Sequence, residues 1–144
     1  MSLKSIYKII NNHNLIIELH KGDIDLNSYI KFKQKLINDN SFKTGCNYFI
    51  HFKNVKFDNQ NFDDIIEFKS FIGKISKNKN SRKIAIVTDT PNQVVTLTLF
   101  KEYKDHFTKN VEIFSTNKKA IQWLFQNKFN EDIDLILNEL DQNI

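Results

Sequence analysis

Four consecutive apolar residues, Ile84 to Val87, followed closely by Thr90-Pro91, constrain this chain more than any other stretch. An unbroken apolar run of strand length suits a strand covered on both faces, as in a parallel sheet with helices above and below. Thr90 then has the side chain of a helix N-cap, and Pro91 fits the first helical position because its missing N–H would have no partner there. Gln93 is placed to reach back to Thr90 as in a capping box. The stretch from Arg82 to Phe107 is therefore predicted to be a strand, a turn and a helix beginning at Asn92. Its turn carries Thr88, Asp89 and Thr90 at the C-terminal edge of a sheet, where open α/β folds usually place ligands.

The preceding residues fit around that unit. Ile6 to Ile10 and Leu15 to His20, separated by Asn11-Asn12-His13-Asn14, read as an antiparallel hairpin. In its second run Leu15, Ile17 and Leu19 alternate with Ile16, Glu18 and His20, so one face is expected to be partly wet, as on an outer strand. Gly22-Asp23-Ile24-Asp25 ends the hairpin. Asp25 is placed to cap a helix with an apolar face of Leu26, Tyr29, Ile30, Leu36 and Ile37, joined by the stem of Lys33. Asn47 to Phe52 is the third strand. The second helix has Asn61 as its cap, Asp63 and Asp64 in its first turn, and Lys74, Lys77 and Lys79 toward its end, with Phe62, Ile65, Ile66, Lys69, Ile72 and Ile75 inward.

Val94, Leu97, Phe100, Tyr103 and Phe107 make the helix after Pro91 apolar over more than one stripe, as for a helix wedged between the sheet and the terminal helix. Val111 to Phe114 is the last strand. Thr116 then caps a helix burying Ala120, Trp123 and Leu124, and Glu131 to Leu140 is a further amphipathic helix. The order ββαβαβαβαα implies an α/β fold with a mixed four- to five-stranded sheet, an N-terminal antiparallel hairpin and packed helices. One domain is expected over residues 1–144, with residues 130–144 as an extra C-terminal helix.

Composition narrows the chemistry. Thirteen Phe against three Gly and one Pro oppose a disordered chain. The single cysteine, Cys46, excludes an intramolecular disulfide framework and suits a reducing cytoplasm. No apolar run approaches the roughly 18 residues of a membrane span, and Met1 to Ile10 lacks a signal-peptide pattern, so a cytoplasmic protein without an integral membrane segment is expected. The net charge of +4 comes from lysines interleaved with 17 acids, which does not point to nucleic acid as a partner. Gly22, Gly45 and Gly73 lie far apart, which excludes a P-loop or a dinucleotide fingerprint.

The four histidines show no metal-ligand spacing, although His20 and His51 would approach one another if they lay on neighbouring strands. Cys46 and His51 resemble a nucleophile and base without an orienting acid, so Cys46 reads as a structural thiol. Neither metal nor cofactor is expected. Asp58 and Asp89 are the two acids expected at the same sheet edge, where such residues commonly cap helices.

Four local patterns in this order resemble the SpoIIAA-like members of the STAS superfamily, whose fold is related to that of CRAL-TRIO lipid-carrier domains. They are Gly22-Asp23-Ile24-Asp25 after the hairpin; the third strand running into Val55-Lys56-Phe57-Asp58; Lys83-Ile84-Ala85-Ile86-Val87-Thr88-Asp89; and Val111-Glu112-Ile113-Phe114 followed by Ala120-Ile121-Gln122-Trp123-Leu124. The resemblance covers roughly residues 5 to 125. Anti-sigma-factor antagonists of that superfamily carry a phosphorylatable Ser after an Asp at the start of the helix following the third strand. The corresponding turn here, Asp58-Asn59-Gln60-Asn61, has no hydroxyl, so a phosphate switch is not expected at that position.

The resemblance implies a non-enzymatic regulatory or ligand-binding module, with a protein partner or a small apolar ligand and a possible homodimer. The expected recognition surface is formed by Asp58, Asn59 and Asn61 from one turn and Thr88, Asp89, Thr90 and Asn92 from the other. Two further readings are a carrier or sensor of a small apolar ligand or lipid, and a hydrolase using Asp58 or Asp89.

Overall fold

A computed structural model describes residues 2–56, 62–75, 82–89, 94–106 and 110–144. The elements follow the expected order: β1 (Lys4–Ile10), β2 (Leu15–Asp23), α1 (Leu26–Ile37), β3 (Asn47–Lys56), α2 (Phe62–Ile75), β4 (Ile84–Val87), α3 (Val94–His106), β5 (Val111–Phe114), α4 (Asn117–Leu124) and α5 (Glu131–Asn143). The strands form one five-stranded sheet whose spatial order is their sequence order, with β1 antiparallel to β2 and all later neighbours parallel. The hairpin turns through a short 3-10 segment at Asn11–His13, closed by Asn14 in the left-handed region at φ 49°.

Sequential order has a geometric consequence. Each parallel connection steps one strand in the same direction, so crossovers of one hand put their helices on one face of the sheet. Residues of α1, α2 and α3, including Tyr29, Phe68, Ile72 and Tyr103, pack there against Ile16, Tyr48, Ile50, Phe52, Ile84 and Ile86. The other face, with Leu15, Ile17, Leu19, Phe49, Ala85 and Val87, is covered by Ala120, Ile121 and Leu124 of α4 and Ile133 and Leu137 of α5. All four residues of β4 are buried, as a strand covered on both faces requires.

Several details differ from the sequence-based expectation. The hairpin strand does not end at His20 but runs to Asp23, which pairs with Lys56. The register shifts between Leu19 and Lys21, where two steps along β2 match three along β3, from His51 to Asn54. This bulge keeps Phe52 and then Val55 on the face covered by α1. On α2 the buried residues are Phe68 and Ile72, whereas Ile66 is 51% exposed. The stripe runs through Ile65, Phe68, Ile72 and Ile75, so Ile65, Ile72 and Ile75 face inward as expected, while Phe68 takes the place expected of Ile66 and Lys69, which are exposed. α3 is not wedged against the terminal helix, because α5 lies across the sheet from it.

Two predicted caps are present. The Asp25 carboxylate accepts from the N–H groups of Asn27 and Ser28, and the Thr116 hydroxyl accepts from that of Lys119. The expected caps Asn61 and Thr90 lie outside the described residues.

Trp123 is half-buried, and Ile121 takes the core position beside Ala120 and Leu124. The indole lies 5.5 Å from Phe114 between ring centroids, and the Lys83 ammonium sits 5.1 Å over it while donating to the Trp123 carbonyl at 2.8 Å. Because part of the ring already meets water, Trp123→Ala should cost about 1 to 2 kcal/mol, below the ~3 to 5 of a fully buried aromatic. Urea unfolding of the variant checks this; a loss above about 3 kcal/mol would mark a deep-core anchor.

Candidate functional site

The predicted turns leave the C-terminal ends of β3 and β4, which share one edge because the strands are parallel. Their starting levels differ. β4 ends opposite His51, and β3 continues for five more residues, roughly 16 Å at strand rise, to Lys56. Of the seven predicted binding residues, Asp58, Asn59, Asn61, Thr90 and Asn92 lie outside the described residues. Thr88 is buried, with its N–H donated to the Phe114 carbonyl at 3.1 Å, so its side chain is not part of an open surface. Asp89 is exposed and lies 3.5 Å from the Lys53 ammonium.

Asp89 and Lys53 line a polar cleft of roughly 400 Å³ with His51, Asn117, Asn138 and Asp141, so it is walled by strand ends and the start of α4 on one side and α5 on the other. Burial pulls the His51 imidazole below its ordinary pKa, against the opposing pull of Asp141. Asn117 Oδ1 is buried there without a hydrogen-bond partner. His51 does not meet His20. Leu19 is the residue opposite His51, so the two histidines face opposite sides of the sheet, and His20 stacks on Phe52 at 4.8 Å.

The face expected to be wet is the most polar part of the interior. Glu18 and His20 are both fully buried beneath α1. One Glu18 oxygen accepts from His20 Nε2 and from the Tyr29 hydroxyl, each at 3.1 Å, and the other from the Lys33 ammonium. Tyr29 spends its hydrogen on Glu18, so the Tyr103 hydroxyl donates to Tyr29 at 2.6 Å. The Ser5 hydroxyl then donates to His20 Nδ1 at 2.7 Å, which fixes the tautomer with its hydrogen on Nε2.

Electrostatics follow from that geometry. Burial raises the Glu18 pKa, but the Lys33 charge and the His20 hydrogen bond outweigh it and bring the carboxyl down to about 2. Burial lowers the His20 pKa further than Glu18 raises it, which leaves the ring neutral. The Tyr29 and Tyr103 phenols are held well above their usual range, chiefly by burial and by the Glu18 charge. Lys33 therefore does not snorkel; its ammonium is an interior ion, 4.5 Å over the Tyr48 ring.

Beside this network lies a partly open cavity of about 150 Å³. It opens at the N-terminal ends of β3 and β4, the edge opposite to the predicted one, between the starts of those strands and the ends of α1 and α2. One side is apolar, formed by Ile37, Phe42, Ile75 and Ile84. The other carries Lys33, Tyr48, Arg82 and Tyr103, with Lys74 and Thr44 at its margin. Arg82 is only 6% exposed, and its guanidinium lies 5.8 Å from the same Tyr48 ring, so that one ring is flanked by two cations.

Cys46 is buried in the same core, and burial pushes its thiol pKa up, the opposite of what a nucleophile needs. Among the described residues, no group of three or more His, Cys, Asp or Glu side chains could hold a metal ion, and no helix is long and apolar enough to cross a membrane. Neither a family model nor a curated protein matches this chain.

Proposed function

We propose that this protein is a non-enzymatic intracellular binding module of SpoIIAA-like type that senses or carries a small ligand in the cavity beneath α1 and α2. The observation that carries this reading is the cavity itself. Ligand sites are concave and mostly apolar with a few polar groups, and this cavity keeps about 150 Å³ open at one sheet edge between apolar and charged walls. The SpoIIAA-like resemblance supports the reading through the shared element order. Asp89, exposed and ion-paired with Lys53, suits a surface contact better than proton transfer, which weighs against a hydrolase.

The polar cleft around Asp89 is the second candidate surface, for a protein partner, and is favoured by the unpartnered Asn117 Oδ1. Native mass spectrometry of the gently purified protein tests the main reading. The expected result is a fraction carrying a bound species below about 150 Da, the size that such a cavity admits. A bound species too large for the cavity would move the site elsewhere.

A further inference from the structure

The walls of the cavity specify more than size, and, resting on the ligand-binding reading above, we infer that its occupant is a small monocarboxylate with a compact apolar body. The described lining holds three cationic side chains, Lys33, Lys74 and Arg82, and no carboxylate. Glu18 stands behind Lys33 and is already shared among Lys33, His20 and Tyr29, so its charge is directed away from the cavity. Arg82 and Lys74 are the cations that an entering anion would meet, with the planar guanidinium suited to a carboxylate's two oxygens.

The opposite wall decides between classes of anion. Ile37, Phe42, Ile75 and Ile84 offer no donor to a second polar end, so an all-polar anion such as phosphate would strand oxygens against hydrocarbon. A carboxylate at one end of a branched or aromatic body of about five to seven carbons fills both walls, since a cavity of this size admits a benzene-sized body. The competing account is that the cations answer the carbonyl ends of α1 and α2, near which Lys35 and Lys74 lie, and that the space holds only water.

Titration of the full chain followed by methyl NMR and calorimetry separates these accounts, with isovalerate and benzoate as probes against benzyl alcohol, benzamide and inorganic phosphate. The carboxylates should bind at least ~10-fold more tightly than the neutral analogues, with shifts at the Ile37, Ile75 and Ile84 methyls. Arg82→Gln should abolish that preference and leave benzyl alcohol binding intact; should Arg82→Gln fold poorly, Lys74→Gln, at an exposed position, should still weaken carboxylate binding several-fold. Benzyl alcohol binding as well as benzoate would overturn the carboxylate assignment while the cavity reading stands. Preferential phosphate binding would also overturn it. If none of the probes shifts these methyls, the cavity reading fails and the carboxylate falls with it.

Discussion

Replacing Lys33 by methionine should destabilise the fold by about 3 to 5 kcal/mol, about a fifth or more of the roughly 5 to 15 kcal/mol that a domain has available. The loss comes from leaving the Glu18 carboxylate buried, since Glu18 has no exposure and, among the described residues, Lys33 is its one full positive partner while His20 is neutral. The pair itself is not expected to be worth that much. Removing both charges with Glu18→Gln and Lys33→Met keeps an amide oxygen for His20 and Tyr29 and should restore most of the stability. Urea unfolding of the two variants measures the difference; equal losses in the single and double variants would mean that Glu18 is not held as an ion.

Acid should destabilise this protein in two stages. His20 is buried and His51 half-buried, both with lowered pKa values, so the unfolded chain takes up protons first and stability begins to fall as pH drops below about 6.5. Glu18 acts lower down. Its stabilisation is complete above the ordinary 4.5 and is lost as pH falls toward its folded value of about 2. That gap corresponds to roughly 3 kcal/mol for a fully buried group. Denaturation midpoints from pH 7 to pH 3 should show both stages in the wild type and a clearly shallower second stage in the variant with Glu18→Gln and Lys33→Met, where Asp25 and Asp39, held below their ordinary pKa by hydrogen bonds, leave a smaller loss. An unchanged slope below pH 4.5 in that variant would remove Glu18 as the source.

The element order was legible because each signal was local. Thr116 and Asp25 cap where they were expected, and the four apolar residues of β4 are covered on both faces. The Glu18 and His20 side chains misled because strand alternation shows only that two polar residues share a face, not what covers it. A signal was present on the facing helix, where Lys33 interrupts the apolar stripe of Tyr29, Ile30 and Leu36. A cation on an inward stripe and an acid on the strand beneath it together describe a buried pair, but the pairing is visible only once α1 is laid on β2.

Of the seven expected site residues only Thr88 and Asp89 lie among the described ones, and Asp89 lines the polar cleft at that edge. The rule that ligands collect at the C-terminal edge depends on a reversal of strand order, which splits neighbouring helices to opposite faces and opens a crevice. This sheet runs in order from β1 to β5 and has no reversal, and its three crossover helices share one face. A second, partly open pocket arises at the other edge, where residues from α1, α2, α3 and two strand starts converge from positions 33 to 103. No local pattern encodes that convergence.

Isoleucine-methyl NMR under xenon pressure tests the central claim most directly, because xenon enters apolar space without requiring a chosen ligand. The cavity predicts shifts at the Ile37, Ile75 and Ile84 methyls and none at Ile17, Ile121 and Ile133, which pack on the other face of the sheet. Unperturbed methyls at Ile37, Ile75 and Ile84, or equal shifts on both faces, would contradict a ligand cavity beneath α1 and α2.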